Sequence, residues 1–350
     1  MTRSPVGVGI LGLGAIGQVH AAALARCAGA RLVAVAVRRH DEALAARFPG
    51  VAWHADYGAL LRRADIEVVA ICTPNGDHAA QALMALAAGK HVVVEKPLAL
   101  TVEDGRRVVA AARERGLLLA PVSQRRLEPQ SRAIREVVAR GALGRLVLAE
   151  ALVRWHRDQA YYDAVAWRGS PDRDGGVLPN QAIHAVDLLC WFCGPVAEVT
   201  GATGTLARRI AAPDTAVATL RFADGALGIV AATVAAPPGL PAELNLFGDR
   251  GQVALHDATI ARWAVPDVPP PAPSAAPGGG HAAPAAIGIL GHLRQWHDIL
   301  AALREGREPT VTGEDALMTL IALAAIAEAG RTGRAVRPAY YGLDAGRGRP

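Results

Sequence analysis

The segment at residues 89–98, Gly-Lys-His-Val-Val-Val-Glu-Lys-Pro-Leu, places Glu95 and Lys96 directly after a short apolar run. That run predicts a buried strand, and open parallel sheets bind ligands at the carboxyl ends of such strands. A lysine beside apolar strands can have its pKa lowered by desolvation, which makes it a proton acceptor or donor near neutral pH. A Glu-Lys pair is usually a surface ion pair, but the strand-end position favours proton transfer by Lys96.

A second polar group lies in the segment 175–187, which has the pattern of a loop entering a helix. Asn180 is a candidate N-cap, so Asn180, His184 and Asp187 would share one face of that helix. His184 would then point at a substrate hydroxyl while Asp187 orients its ring. The competing interpretation of His184 is a packed core residue, and the three polar groups in register favour the catalytic one.

A Gly-Leu-Gly-Ala-Ile-Gly segment beginning at Gly12 follows an apolar strand and opens a helix. In this context the GxGxxG pattern predicts a dinucleotide site. Gly12 allows the tight turn, Gly14 lets a pyrophosphate approach the backbone, and Gly17 lets helix and strand pack closely. The helix N-terminus, at Ala15 and Ile16, adds unpaired N–H groups and a positive dipole for the phosphates.

The end of the second predicted strand bears on the choice between NAD and NADP. A NAD site has an acid about 20 residues after the glycine motif, which binds the ribose 2′-hydroxyl. Here Arg38 and Arg39 occupy that region and no acid comes before Asp41. Two guanidinium groups suit a 2′-phosphate, so the sequence slightly favours NADP over NAD. Solvated loop arginines are the alternative interpretation.

The elements around these residues change character near residue 122. Up to that point apolar runs alternate with helical periods, which predicts an α/β Rossmann domain with a doubly wound parallel sheet. Beyond it, strand-like segments and hairpin signals predict an α+β domain with a largely antiparallel open sheet. These segments lie at about 146–155, 196–206, 214–222, 226–234, 242–248 and 251–263.

Two domains are therefore predicted, 1–122 for the cofactor and 123–350 for substrate binding and oligomerisation. The second contains a Pro- and Gly-rich loop at 265–288, followed by helices at about 288–305 and 313–330.

Composition excludes several classes of protein. The 350 residues are 51% hydrophobic and 20% charged, as in globular proteins. The net charge is +5, but no basic run interleaves with aromatic residues, so nucleic acid is not an expected partner. Four cysteines indicate a reducing compartment, and Cys190 and Cys193 alone do not make a metal site. Without a long apolar segment or room for a signal peptide, we expect a cytoplasmic protein that does not bind membranes.

The glycine motif, the Glu95-Lys96-Pro97 sequence and the polar residues from Asn180 to Asp187 together resemble the Gfo/Idh/MocA family of oxidoreductases. The resemblance extends over essentially the whole chain. It implies that Lys96 transfers a proton beside the nicotinamide with His184 as its partner. Many members have Asp where this chain has Asn180. The further residues that the resemblance places along the cofactor are Thr73, Pro74, Asn75, His78, Glu95, Lys96 and Gln124.

The region around residues 154–181 is similar to a subgroup near the nucleotide-sugar 3-dehydrogenases. That similarity implies a sugar-like substrate bound by Lys96, Tyr162, Trp167, Arg168, Asn180 and His184. The expected reaction is hydride transfer between NAD or NADP and a secondary alcohol of a sugar, cyclitol or sugar-derived acid. Glycoside cleavage by transient oxidation and elimination is one alternative. A non-catalytic cofactor-binding sensor is another, which the presence of Lys96 and His184 disfavours.

Two predicted strands of the second domain do not alternate between apolar and polar residues. A one-sided sheet alternates apolar and polar residues, but 216–220 and 226–234 are apolar or small at both parities. Helices of the same domain can cover only one face, so the other would expose a large apolar patch. A homodimer or homotetramer formed through this sheet, with Ile229 on its outer face, would cover the patch. The alternative is that the loop 265–288 folds over it.

Overall fold

The computed structural model describes residues 4–273 and 288–340. Its strands are β1 (Val6–Leu11), β2 (Ala30–Ala36), β3 (Ala52–His54), β4 (Val68–Ile71), β5 (His91–Val94), β6 (Leu119–Pro121), β7 (Leu146–Arg154), β8 (Val196–Gly204), β9 (Thr215–Phe222), β10 (Leu227–Thr233), β11 (Glu243–Gly248), β12 (Gln252–His256) and β13 (Thr259–Ala264). Its α-helices are α1 (Ala15–Leu24), α2 (Glu42–Ala45), α3 (Tyr57–Leu61), α4 (His78–Ala87), α5 (Val102–Arg115), α6 (Pro129–Ala139), α7 (Gln159–Asp163), α8 (Ile183–Cys193), α9 (Leu290–Glu305) and α10 (Gly313–Thr332).

The first compact unit contains residues up to Ala99, Glu103–Gln124 and Gly288–Gly313. Its six-stranded sheet has the order β3-β2-β1-β4-β5-β6, and every neighbouring pair is parallel. The strand order reverses between β1 and β4, and doubly wound sheets bind ligands at such a switch point. The predicted Rossmann sheet is therefore confirmed.

Helix α9 belongs to this first unit. The core of this unit contains Trp296, Ile299 and Leu300 from α9, packed with strand residues such as Val8 and Val93. The helix was predicted from its amphipathic pattern, but sequence order alone assigned it to the second domain. The predicted boundary at residue 122 therefore does not hold for residues 288–313.

The second unit has a seven-stranded sheet in the order β13-β12-β11-β7-β10-β9-β8. Strands β7 and β10 are parallel and the other neighbours are antiparallel, as the prediction of a largely antiparallel sheet required. Helices α6, α8 and α10 contribute Ile134, Leu189 and Ile326 to the core against one face of the sheet. Residues 265–273 have no regular structure, and 274–287 lie outside the described residues.

The strand predicted at 251–263 is instead a hairpin of β12 and β13. The chain reverses at Asp257, which has φ 50°, a left-handed conformation that Asp tolerates better than most residues. The carboxylate of Asp257 also accepts a hydrogen bond from the backbone N–H of Ala242 at 3.2 Å. A single Asp is a weaker turn signal than glycine, so the apolar pattern appeared continuous.

Candidate active site

The glycine turn between β1 and α1 has the form that a dinucleotide needs. Gly12 has φ +85°, and a Cβ atom there would lie 2.8 Å from the carbonyl oxygen of Cys72. A Cβ at Gly17 would lie 2.1 Å from the carbonyl oxygen of Gly12, so helix and turn pack too closely for any side chain. At Gly14 a Cβ would meet nothing within 4 Å, and no side chain caps α1. Open space therefore lies before unpaired helix N–H groups, which fits a pyrophosphate.

Lys96 follows β5 at the carboxyl edge of this sheet, as predicted. The side chain of the preceding Glu95 is buried, and its Oε2 accepts the backbone N–H of Lys96 at 3.0 Å. Its Oε1 lies 3.0 Å from Nε2 of His20 and 3.3 Å from Nε2 of His292. The buried Glu95 side chain is thus hydrogen-bonded both to the two histidines and to the backbone at Lys96.

The hydrogen bonds around His20 determine its protonation. Trp296 donates its indole N–H to Nδ1 of His20 at 3.0 Å, so the neutral ring carries its proton on Nε2 and donates it to Glu95. Burial lowers the pKa of His20 and keeps the ring neutral. Burial alone would raise the pKa of Glu95, but hydrogen bonds from His20 and His292 hold it well below its usual range. The cluster has the residue types of a metal site, but Nε2 of His20 presents a proton there rather than a lone pair.

Residues after β4 form the next part of the site. His78 is buried, and its ring nitrogens lie 2.7 Å from the carbonyl oxygen of Pro97 and 2.9 Å from that of Thr73. The ring therefore links the turn after β4 to the turn that carries Lys96. Thr73 donates its hydroxyl to Gln81 at 2.5 Å, while Pro74 and the buried Asn75 begin a short 3-10 turn. Burial lowers the pKa of His78, although both carbonyls favour the protonated ring.

Three other predicted cofactor residues, Gln124, Arg38 and Arg39, differ in how far they are buried. Gln124 begins a 3-10 turn after β6, and its Oε1 is buried without a hydrogen-bond partner. An unsatisfied acceptor of this kind costs free energy until a donor arrives, as an amide group of a cofactor would provide. Arg38 and Arg39 are exposed just beyond β2, at the position that the 2′-phosphate hypothesis requires. The described residues of the first unit thus fit a nicotinamide dinucleotide.

The prediction that Asn180, His184 and Asp187 share one face of a helix is wrong in one respect. Asn180 is not an N-cap but lies within a π-helical turn, Leu178–Ala182, that precedes α8. A π turn widens the helix, so the spacing from Asn180 to His184 does not follow a regular α-helix. Asn180 donates its side-chain amide to the buried Asp174, which also accepts the backbone N–H of Gly169 at 2.8 Å.

Asp187 has partners other than those predicted. Its two carboxylate oxygens accept hydrogen bonds from the buried Arg126 at 2.9 and 2.7 Å, and Oδ1 also accepts the Thr319 hydroxyl at 2.7 Å. Arg126 forms a second ion pair with Asp315 at 2.8 Å. Although burial alone would lower the pKa of Arg126, the charges of Asp187 and Asp315 raise it. These contacts place Asp187 in a buried ion-pair network that joins the 3-10 turn Gln124–Leu127, α8 and α10. Its expected role in orienting His184 stays a prediction.

The remaining substrate candidates lie in the loop around α7. Arg168 stacks with its Cζ 4.0 Å from the ring centre of Tyr161 and donates to the carbonyl oxygen of that residue at 2.7 Å. Tyr162 is buried, and burial raises its pKa. Trp167 is half-buried beside Arg168, whose Cζ lies 5.8 Å from its ring centre. Aromatic rings and a guanidinium are thus brought together in this loop, and their binding of a substrate stays a prediction.

Sequence reasoning missed His20, His292 and Trp296, as well as Arg126. The histidines are 272 positions apart and no spacing rule connects them, although each lies on the buried side of an amphipathic helix. The four cysteines are free, and burial raises the pKa of Cys190 to about 12, as expected for an inert thiol. Among the described residues, no helix is both long and apolar enough to cross a membrane.

Comparison with known proteins agrees with this geometry. Residues 6–122 match the family described as "Oxidoreductase family, NAD-binding Rossmann fold", and residues 131–254 match the "GFO/IDH/MocA C-terminal domain". The chain therefore belongs to the Gfo/Idh/MocA family. The predicted family, fold class, oxidoreductase activity and nicotinamide cofactor are thereby confirmed.

Individual relatives and solved structures are similar over most of the chain. Inositol 2-dehydrogenase of Rubrobacter xylanophilus is 34% identical over 71% of this chain and 71% of its own length. Inositol 2-dehydrogenase 2 of Saccharopolyspora erythraea is 30% identical over 71% of this chain and 73% of its own. The WlbA dehydrogenase of Bordetella pertussis, solved with NADH and UDP-GlcNAcA, has a TM-score of 0.87 and 33% identity, covering 97% of this chain and 99% of that one.

Proposed function

We propose that the protein oxidises a secondary alcohol of a sugar, cyclitol or sugar-derived acid with NAD or NADP. The observation that carries the proposal is Lys96 at the carboxyl end of β5, in the same unit as an open glycine turn. The bound nicotinamide supplies the hydride acceptor. The similarity to inositol 2-dehydrogenases and to WlbA supports the class of substrate.

In this proposal Lys96 accepts the hydroxyl proton at Nζ while the carbon of the same C–O bond loses hydride, which leaves a ketone. Glu95 and His78 position the turn that holds Lys96 through its backbone. His184 donates a hydrogen bond to the substrate oxygen, and Tyr162, Trp167, Arg168 and Asn180 bind the rest of the sugar. The four free thiols suit a reducing compartment, which supports a cytoplasmic location.

A cofactor and substrate screen tests this function. Sugars, inositols and nucleotide sugars are each incubated with NAD and NADP, and nicotinamide reduction is followed by absorbance. We expect reduction with at least one substrate and a higher kcat/KM for NADP, because Arg38 and Arg39 can pair with the 2′-phosphate. Preference for NAD would contradict the role of the arginines. Glycoside cleavage without net reduction would instead establish the elimination reaction and refute the dehydrogenase.

We also propose that the outer face of the second-unit sheet forms a homo-oligomer. The burial pattern of β10 alternates so that Ile229 shares the outer face, while Gly228 and Val230 are buried. Val217 and Leu227 are each 49% exposed there, an apolar surface that a second copy would cover. The segment 274–287, which could be a rival cover, lies outside the described residues.

Ile229→Lys is expected to dissociate the oligomer, because each copy would bring a charge into an apolar interface. Size exclusion coupled to light scattering measures the mass of the parent and of the variant. Met84→Lys, which changes a side chain that is 49% exposed in the first unit, is the matched control and should leave the mass unchanged. A parent that runs at the 36.3 kDa monomer mass at micromolar concentration would refute the oligomer.

A further inference from the structure

Four buried side chains of the first unit form a hydrogen-bonded network next to the backbone of Lys96. His20 lies on α1, Glu95 directly follows β5, and His292 and Trp296 lie on α9. Each of the four is at most 4% exposed, so solvent does not compete for their hydrogen bonds. His292 and Trp296 are four positions apart and therefore share the buried face of their helix. The network thus joins α1 and α9 to the turn that carries Lys96.

The direction of each hydrogen bond follows from the groups involved. Because Glu95 is an ionised carboxylate with a lowered pKa, its two oxygens only accept hydrogen bonds. Nε2 of His20 and Nε2 of His292 therefore each donate to Oε1, at 3.0 and 3.3 Å. Oε2 accepts the backbone N–H of Lys96 at 3.0 Å. The two histidines thus hold one oxygen of the carboxylate while the other oxygen holds the lysine backbone.

Stability alone does not account for a carboxylate at this place. Its neighbours in the core of the first unit are largely apolar, among them Val8, Val93 and Ile299. Burying a charged group costs free energy, and apolar residues of similar volume are often as stable or more stable in its place. What Glu95 provides and an apolar side chain cannot is an acceptor for the N–H of Lys96. The network therefore has a role that is connected with the lysine.

The peptide groups on both sides of Lys96 are held by buried side chains. Glu95 accepts the N–H of Lys96, and Nδ1 of His78 lies 2.7 Å from the carbonyl oxygen of Pro97. A lysine side chain is long and flexible, so its Nζ is directed accurately only when its backbone is fixed. Misplacing a reacting group by about 1 Å can reduce the rate about 100-fold. A lysine that acts as a base therefore needs such backbone contacts.

We propose that His20 and His292 are positioning residues for Lys96, an inference that rests on the proposed dehydrogenase function. Their hydrogen bonds orient the Glu95 carboxylate, and Oε2 of Glu95 in turn fixes the backbone of the base. Trp296 supports His20 by donating to its Nδ1, which keeps the ring proton on Nε2. These three residues touch neither substrate nor cofactor and act through Glu95.

Substitutions at His292 test the proposal. His292→Leu removes one hydrogen bond to Glu95, and we expect kcat to fall about tenfold, less than for loss of the base itself. KM for cofactor and substrate should stay within about twofold, since their contacts are unchanged. His292→Gln has an amide N–H that reaches about as far as Nε2 of histidine, so it should restore most of kcat. Loss of packing alone would lower the free energy of unfolding and leave kcat of the folded protein unchanged.

His91→Leu is the matched control, because His91 begins the strand that Glu95 follows. Nδ1 of His91 accepts the backbone N–H of Leu118 at 2.9 Å, so this variant also loses a histidine hydrogen bond. It should leave kcat within about twofold. Unchanged kcat in His292→Leu, or equal losses in His292→Leu and His91→Leu, would overturn the assignment. If His292→Leu does not fold, His292→Asn replaces it, because its amide is too short to reach Glu95.

The amide signal of Lys96 gives a readout that does not depend on turnover. Protein labelled with ¹⁵N-lysine alone shows two backbone amide signals, because Lys90 and Lys96 are the two lysines of the chain. An amide proton that is bonded to a carboxylate resonates downfield. We expect the Lys96 signal to move upfield in His292→Leu and to keep the parent position in His292→Gln and His91→Leu. The Lys90 signal should not move in either His292 variant.

Failure of the proposed function is distinguishable from failure of this assignment. If the parent oxidises no sugar or cyclitol with NAD or NADP, the function is refuted and the Lys96 amide signal tests the network by itself. A signal that moves in His292→Leu and recovers in His292→Gln would support the positioning of Lys96 without the dehydrogenase activity. A signal that stays in place in His292→Leu would refute it.

Discussion

Lys96→Met is expected to lower kcat by about two orders of magnitude or more, because a positioned general acid–base group typically contributes that much. Methionine has a similar length but cannot accept the hydroxyl proton. Binding of NAD and NADP should change little, since the glycine turn and the helix N-terminus that accommodate the phosphates are untouched. Steady-state kinetics and cofactor titration by fluorescence measure the two effects separately.

The chain offers a matched control, because Lys90 and Lys96 are its two lysines. Lys90 precedes β5 at the opposite end of the strand, and its Nζ donates to the carbonyl oxygens of Arg63 and Ile66 at 2.8 Å each. Lys90→Met removes these hydrogen bonds and should reduce stability while leaving kcat within about twofold, since it alters no acid–base group. Near-normal turnover in Lys96→Met, or equal losses in both variants, would contradict the catalytic assignment.

The parts of the site that the sequence predicted are those encoded by neighbouring residues. The glycine turn depends on backbone conformation within one segment, and Lys96 follows directly after the strand that presents it. The positions of both could be predicted because the carboxyl end of a parallel strand lies at the ligand-binding edge of the sheet, independently of the rest of the fold. The Rossmann sheet was predictable for a related reason, since buried parallel strands such as β4 are almost continuously apolar.

The parts that were missed depend on long-range contacts or on irregular backbone. His20 and His292 meet at Glu95 only because α9 returns to pack on the first sheet. The π turn before α8 introduces an irregular spacing that helix periodicity does not reveal. Asn180 was for this reason wrongly predicted to be the N-cap of a regular helix. The role of Asp187 was predicted from its position on the same helix face as His184. Its position opposite Arg126 follows instead from packing between residues distant in sequence.

Asp187→Asn tests the contribution of that residue to the buried ion-pair network. The parent carboxylate accepts two hydrogen bonds from Arg126 and one from Thr319, and all of these partners are buried. An asparagine would turn an N–H₂ group toward the guanidinium donors and would leave less negative charge beside Arg126. Removing one partner of a buried ion pair costs about 3–5 kcal/mol, so we expect the free energy of unfolding to fall by about 3 kcal/mol. Denaturant unfolding measures this loss.

Asp315→Asn is the matched control for Asp187→Asn, because both carboxylates pair with Arg126 but the Asp315 side chain is 34% exposed. Water can replace part of that interaction, so a loss of about 1 kcal/mol or less is expected. If Asp187 also oriented His184, Asp187→Asn would lose kcat as well as stability. Thr319→Val provides an independent readout, since it removes one hydrogen bond to the same carboxylate without changing charge. It should lower the free energy of unfolding by about 1 kcal/mol, the usual contribution of one hydrogen bond, and leave kcat unchanged. A loss of kcat in Thr319→Val without a loss of stability would show that the network acts on catalysis rather than on the fold.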